Sequence, residues 1–219
     1  MVNKTKWLLG GIILSLLLVG LLLFLIRATI LDACGIFMAP DGNYVADVAI
    51  LEGSEFLDRG VVQSGIKLIL SQKVKRIVVI LHLITPFHRP FGLNEDYPNL
   101  VKKELETLGL KETDIKIIVN HIHDPITLTS AKGALEALSQ DHVRSAILLS
   151  KGFHTRRSFL VYQHVGIPLQ IKIFPSACFN EYQLDHWWSN EKAVRDFTSE
   201  VVKLAYYFIR NYIPLKLSY

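Results

Sequence analysis

The stretch Ala146-Ile147-Leu148-Leu149-Ser150-Lys151-Gly152-Phe153-His154-Thr155-Arg156-Arg157-Ser158 decides the fold. Its continuous apolar run reads as a strand buried on both faces. Gly152 permits a tight turn, and a helix then starts near Phe153 with a histidine and two arginines in its first turns. A buried strand that turns directly into a helix is the repeating unit of a parallel α/β sheet. The backbone N–H groups of a helix start favour an anion, and guanidiniums beside them add to that preference. His154 and Arg157 are three residues apart and share a helix face. The alternative is that Arg156 and Arg157 are ordinary surface charges and His154 packs on the sheet.

The same alternation runs outward in both directions. Short apolar runs rich in Val and Ile occupy 47–51, 76–81, 115–119, 146–149 and 169–174. Helix-like stretches lie near 59–72, 95–109, 127–139 and 155–165, and an amphipathic segment spans about 190 to 212. This order predicts an α/β domain over 45–213, a three-layer Rossmann-like parallel sheet with helices on both faces.

Residues 7–26 are apolar and uncharged, with Lys4 and Lys6 before them and Arg27 after. The run is long enough to cross a bilayer as one helix. Residues 1–27 are therefore expected to be an uncleaved signal anchor, one N-terminal transmembrane helix in the inner or plasma membrane. The basic residues place the N-terminus in the cytoplasm and the domain outside it. Residues 28–44, with Pro40, Asp41, Gly42 and Asn43, read as a connector. Cys34 and Cys178 permit a disulfide in that compartment, and two free thiols fit equally well. The net charge of +4 comes from scattered basic residues. It argues against a nucleic-acid partner, and nearby anionic lipid explains it.

In open α/β sheets the ligand sits beyond the carboxyl ends of the strands. After the first strand stand Glu52, Gly53 and Ser54. Gly53 and Ser54 let backbone approach a ligand, and Glu52 is either a general base or a solvated loop carboxylate. A lone glycine lacks the spacing of a dinucleotide site, and no cofactor is expected. After the second strand comes a long loop, 82–92, which reads as a binding loop or as a surface insertion. Asp124-Pro125 after the third strand reads as a helix start, with Asp124 as N-cap. His82, His121, His123 and His154 share this edge, but no spacing is diagnostic of a metal.

These residues resemble the signature of the YdcF/SanA/ElyC family, the "domain of unknown function 218" proteins. That signature runs Thr/Ser-Ser-x-Tyr/Phe-His-Met-x-Arg-Ala, and Phe153, His154 and Arg157 match it, with Ser150 at the strand end. Ala46-Asp47-Val48-Ala49-Ile50-Leu51 is similar to the family's opening strand. Thr127-Leu128-Thr129-Ser130-Ala131 lies where the family has Asn-Thr-x-Glu-Asn-Ala, and Asp185-His186-Trp187-Trp188 resembles its tryptophan-bearing segment. The resemblance covers about 46–210. This chain departs from it in the glycine-poor first loop, the 82–92 loop and Thr129-Ser130.

The resemblance implies a role in envelope biogenesis or barrier maintenance. The expected ligand is a small anion, a phosphorylated sugar or a lipid-linked cell-wall precursor. The expected catalytic residues are His154, Glu52 and Asp124. The expected ligand-binding residues are Gly53, Ser54, Ser150, Phe153, Arg157 and Thr127. Loss of the loop glycines leaves a second expectation, a non-catalytic envelope partner protein with an altered pocket. One family member has been linked to S-adenosylmethionine, so a nucleotide or S-adenosylmethionine binder of opposite orientation is a third.

Overall fold

The computed structural model describes residues 2–52, 58–82, 96–121 and 123–215. Its strands are β1 (Val48–Leu51), β2 (Arg76–His82), β3 (Ile115–Asn120), β4 (Ser145–Lys151) and β5 (Lys172–Cys178). They form one sheet in the order β3-β2-β1-β4-β5, and every pairing is parallel. Helices are α1 (Val2–Met38), α2 (Arg59–Leu70), α3 (Tyr97–Thr107), α4 (Ile126–Gln140), α5 (His154–Gly166) and α6 (Glu191–Ile209).

Successive strand residues point to opposite faces, and the buried residues sort accordingly. Val48 and Ile50 of β1, Val78 and Ile80 of β2, and Ala146 and Leu148 of β4 join the core beneath α4 and α5. Ala49 and Leu51, Ile77 and Val79, and Ile147 and Leu149 join the core on the α2–α3 face. The continuous apolar runs are thus strands covered on both sides, which gives three layers. At the strand starts, the Asp47 carboxylate accepts from Arg144 N at 3.0 Å and Ser145 N at 2.9 Å, tying β1 to β4.

The last strand lies three residues later than the apolar pattern predicts. Leu169 and Gln170 turn the chain instead of extending it, and Gln170 has φ 56°. Pro175 then sits inside β5, opposite Leu148. A proline is tolerated there because β5 is an edge strand with one bonded neighbour.

The expected connector is also different: 28–38 belong to α1. Among the described residues no single helix is long and apolar enough to cross a membrane. The pair Trp7–Leu22 and Phe24–Met38, bent by 49°, passes that test together by length and composition. The second half of the pair docks on the domain. Trp187 Nε1 donates to Leu31 O at 2.8 Å, Trp188 Nε1 to the Asp32 carboxylate at 3.1 Å, and Arg156 Nε to Phe37 O at 2.6 Å. Gly35 admits the Trp187 ring so closely that a Cβ there would lie 2.6 Å from it. Trp187 also stacks on Phe197 and meets Phe153 edge-on. Trp187→Ala is expected to destabilise the detergent-solubilised chain by about 3 kcal/mol in a urea titration.

Candidate functional site

Strand order reverses between β1 and β4, the switch point at which a doubly wound sheet opens a crevice. Glu52 directly follows β1, and its N–H still bonds Leu149 O of β4 at 3.2 Å. Ser150 and Lys151 end β4. Gly152 then takes φ 47°, a left-handed turn that suits glycine. Thr155 Oγ1 donates back to Gly152 O at 2.7 Å and helps fix the first turn of α5.

This geometry gathers four ionisable groups. His154 Nε2 lies 3.4 Å from Glu52 Oε1, and its Nδ1 lies 3.2 Å from Glu200 Oε2 on α6. Arg157 grips the same Glu200 through Nε at 2.9 Å and Nη2 at 3.2 Å. Its Nη1 donates to Thr127 Oγ1 at 2.7 Å, and its Nη2 lies 2.9 Å from His154 Nδ1. The Tyr207 ring lies 4.9 Å beneath the guanidinium. The hydroxyls of Ser150 and Ser158 both donate to Glu52 Oε2. Lys203 reaches Glu200 Oε1 at 2.9 Å from the solvent side.

Burial by itself disfavours charge on His154, Glu52 and Glu200, and the attraction of their neighbours overcomes it. For His154, burial and the neighbouring Arg157 oppose protonation. The charge of Glu52, with hydrogen bonds to Glu200 and Glu52, outweighs them and raises the imidazole from 6.5 to about 9. Burial would raise Glu52, but His154 and the Ser150 and Ser158 hydroxyls hold it below its ordinary value. Glu200 is likewise held well below the carboxylate range, against burial, by His154 and Arg157. At neutral pH the cluster is two carboxylates, a guanidinium and an imidazolium.

Two cavities of about 330 and 580 Å3 flank the cluster, and Glu52, His154, Glu200 and Lys203 line both. Lys151, Lys192, Asp58 and Asp196 complete the smaller; Asp124, Thr127 and Tyr207 help line the larger. Another cavity, of about 680 Å3, is lined by Lys132, Glu136, His164 and Tyr212 and holds none of the cluster.

The structure thus brings together His154, Glu52, Ser150, Thr127 and Arg157. Asp124 stays exposed on the wall of the larger cavity. It does not cap α4: Pro125 takes that position, with no side-chain cap. Phe153 is 1 % exposed and sits among Phe179, Tyr182, Trp187 and Phe197, a core residue whose edge reaches the smaller cavity. Gly53 and Ser54 lie outside the described residues, as does the long loop beyond His82. His82 lines the larger cavity, whereas His121 and His123 are exposed.

Sequence reasoning missed Glu200, Lys203 and Ser158. A signal for Glu200 was present. It falls on the same helical face as Ala193, Phe197, Leu204 and Tyr207, where only a cation makes a carboxylate tolerable. Cys34 and Cys178 are unbonded. Among the described residues, the group with metal-ligating atoms within 4.8 Å of one another is Asp32, Asp185 and His186, at the α1 junction. No protein-family model, curated protein or solved structure matches the chain.

Arg157 is 6 % exposed and bonded inside the protein. Removing it takes two charge-assisted bonds from the buried Glu200, which keeps only His154 and Lys203, so Arg157→Ala is expected to destabilise by about 3 kcal/mol. Lys cannot reproduce the two-pronged contact, and Arg157→Lys should recover only part of that loss. The raised His154 sets the alkaline limit of stability. A group whose pKa is higher folded than unfolded stabilises fully below its unfolded value and loses that contribution as pH rises through the folded one. The melting temperature is expected to fall between pH 7 and about 9.5, and His154→Gln to flatten that fall.

Proposed function

We propose that the chain is a membrane-anchored envelope protein of the YdcF/SanA/ElyC type that binds a phosphate-bearing ligand in the β1–β4 crevice. The observation that carries this reading is the imidazolium of His154 in the wall shared by two cavities at the switch point. Its side chain is 25 % exposed, and its Nε2 contact with Glu52 is a long one, at 3.4 Å. That N–H can also serve an anionic oxygen entering the cavity, and a phosphoryl oxygen is such an acceptor. Lys203 and Lys151, both well exposed, supply further cations at the rim. Arg157 acts through Glu200 and His154 as a positioning residue. Glu52 and His154 form an acid–base pair for processing the bound group.

The membrane part of the reading rests on 7–26. Their described side chains are apolar and exposed over their whole length. So much contiguous apolar surface does not persist in water. The flanking lysines and arginine favour a domain outside the cytoplasm.

A second reading, a non-catalytic envelope partner, is supported by the smaller cavity itself. Glu52, Asp58, Asp196 and Glu200 balance its cations, leaving no net attraction for an anion. Thermal shift of the detergent-solubilised chain separates the two. The panel is inorganic phosphate, hexose phosphates, a polyprenyl phosphate, nucleotides and S-adenosylmethionine. A phosphate compound at a hundredfold excess over its Kd is expected to raise the melting temperature by roughly 5 °C or more. His154→Gln should abolish that rise. No rise with any phosphate compound favours the partner reading; a rise with S-adenosylmethionine alone points to the third expectation.

A further inference from the structure

Beyond α1, the exposed large apolar side chains of most described elements stand apart from one another, but α6 carries five: Val194, Val201, Val202, Tyr206 and Ile209. Val202 is 63 % and Ile209 82 % exposed. At 3.6 residues per turn these five and Ala205 fall on one arc of the helix. From Val201 to Ile209 the arc is unbroken, with Lys203 and Arg210 on one flank; nearer the start of α6, Glu191, Arg195 and Thr198 stand within it. Lys203 is paired with Glu200 and Asp196 with Lys192, so Arg195 and Arg210 are the cations this face offers outward, with Glu191 in the first turn.

α6 touches α1 and the Trp187–Ser189 turn, and Trp187 holds Leu31. Leu31 is four residues beyond Arg27, about 6 Å along a helix. Whatever surrounds 7–26 therefore ends within about one helical turn of the α6 junction.

We propose that the outer face of α6 lies on the surface of the anionic bilayer that holds α1. This rests on the membrane reading above and goes beyond it. The apolar arc enters the headgroup boundary, Tyr206 sits at the interface, and the basic flank meets lipid phosphates. Lys203 stands between that arc and the buried face of α6, from which Glu200 and Tyr207 line the candidate site. The site then opens beside the headgroup layer, so the ligand class it fits is an amphiphile with a phosphate headgroup.

The test uses the full chain in vesicles of phosphatidylglycerol and phosphatidylcholine. Cys34→Ser removes the exposed thiol, and Cys178 stays, because burial raises its pKa to about 11 and keeps it unreactive. Leu17→Cys, Leu70→Cys, Val202→Cys and Ile209→Cys are each labelled with an environment-sensitive fluorophore, and brominated lipid is added. Loss of emission is expected at 17, 202 and 209 and not at 70 on α2. Quenching at 17 but not at 202 and 209 overturns the proposal and leaves the anchor standing. No quenching at 17 removes the anchor and the proposal together. Blue-shifted emission at 202 and 209 without quenching gives the face to a second copy of the chain and also overturns it.

Discussion

The carboxyl edge of this sheet depends on one buried ion pair, Arg157 with Glu200. A guanidinium out of water is tolerable only where a carboxylate meets it with good geometry and its remaining donors are satisfied. Glu200 takes two of the donor nitrogens, and Thr127 takes the third. Three helices are committed by that arrangement: α5 brings the cation, α6 the anion and α4 the hydroxyl. His154 then falls between Glu200 and Glu52, and its charge is a consequence of lying there. The attraction of their neighbours outweighs the desolvation of His154, Glu52 and Glu200, so none of these three relieves its burial by becoming neutral.

The same edge receives α1. A glycine against an indole, and backbone carbonyls offered to Trp187 and Arg156, fix 31–38 to the domain as continuous helix. The aromatic group around Phe153 passes that contact inward to the start of α5. The junction with α1 and the charged cluster are thus neighbours on one scaffold, one on each side of Phe153.

The strands were legible because burial on both faces leaves an unbroken apolar run, a signal carried by each residue alone. The helices followed from the gaps between them. β5 was displaced because Leu169 is apolar yet sits in a turn, while the strand runs on through Pro175, which an edge strand accepts. Of the site, His154 and Arg157 could be read because strand, turn and helix start are contiguous in sequence. Glu200 could not be paired with them, since nothing local says which buried carboxylate meets which buried cation. For the same reason Arg157, which looked like an anion clamp, has its partner inside the fold. The capping expected of Asp124 failed because Pro125 took the cap position itself.

The ion pair also orders events in time. Arg157 and Glu200 are separated by 43 residues. At the usual pace of translation, roughly 5 to 20 residues per second, α5 exists for some seconds before its counter-charge is made. Through that interval the first turns of α5 carry a guanidinium that has no carboxylate to be buried against. The nascent domain therefore cannot close its carboxyl edge early. Completion of that edge waits for the last helix, and a chain cut short before residue 200 would hold a sheet but no finished pocket.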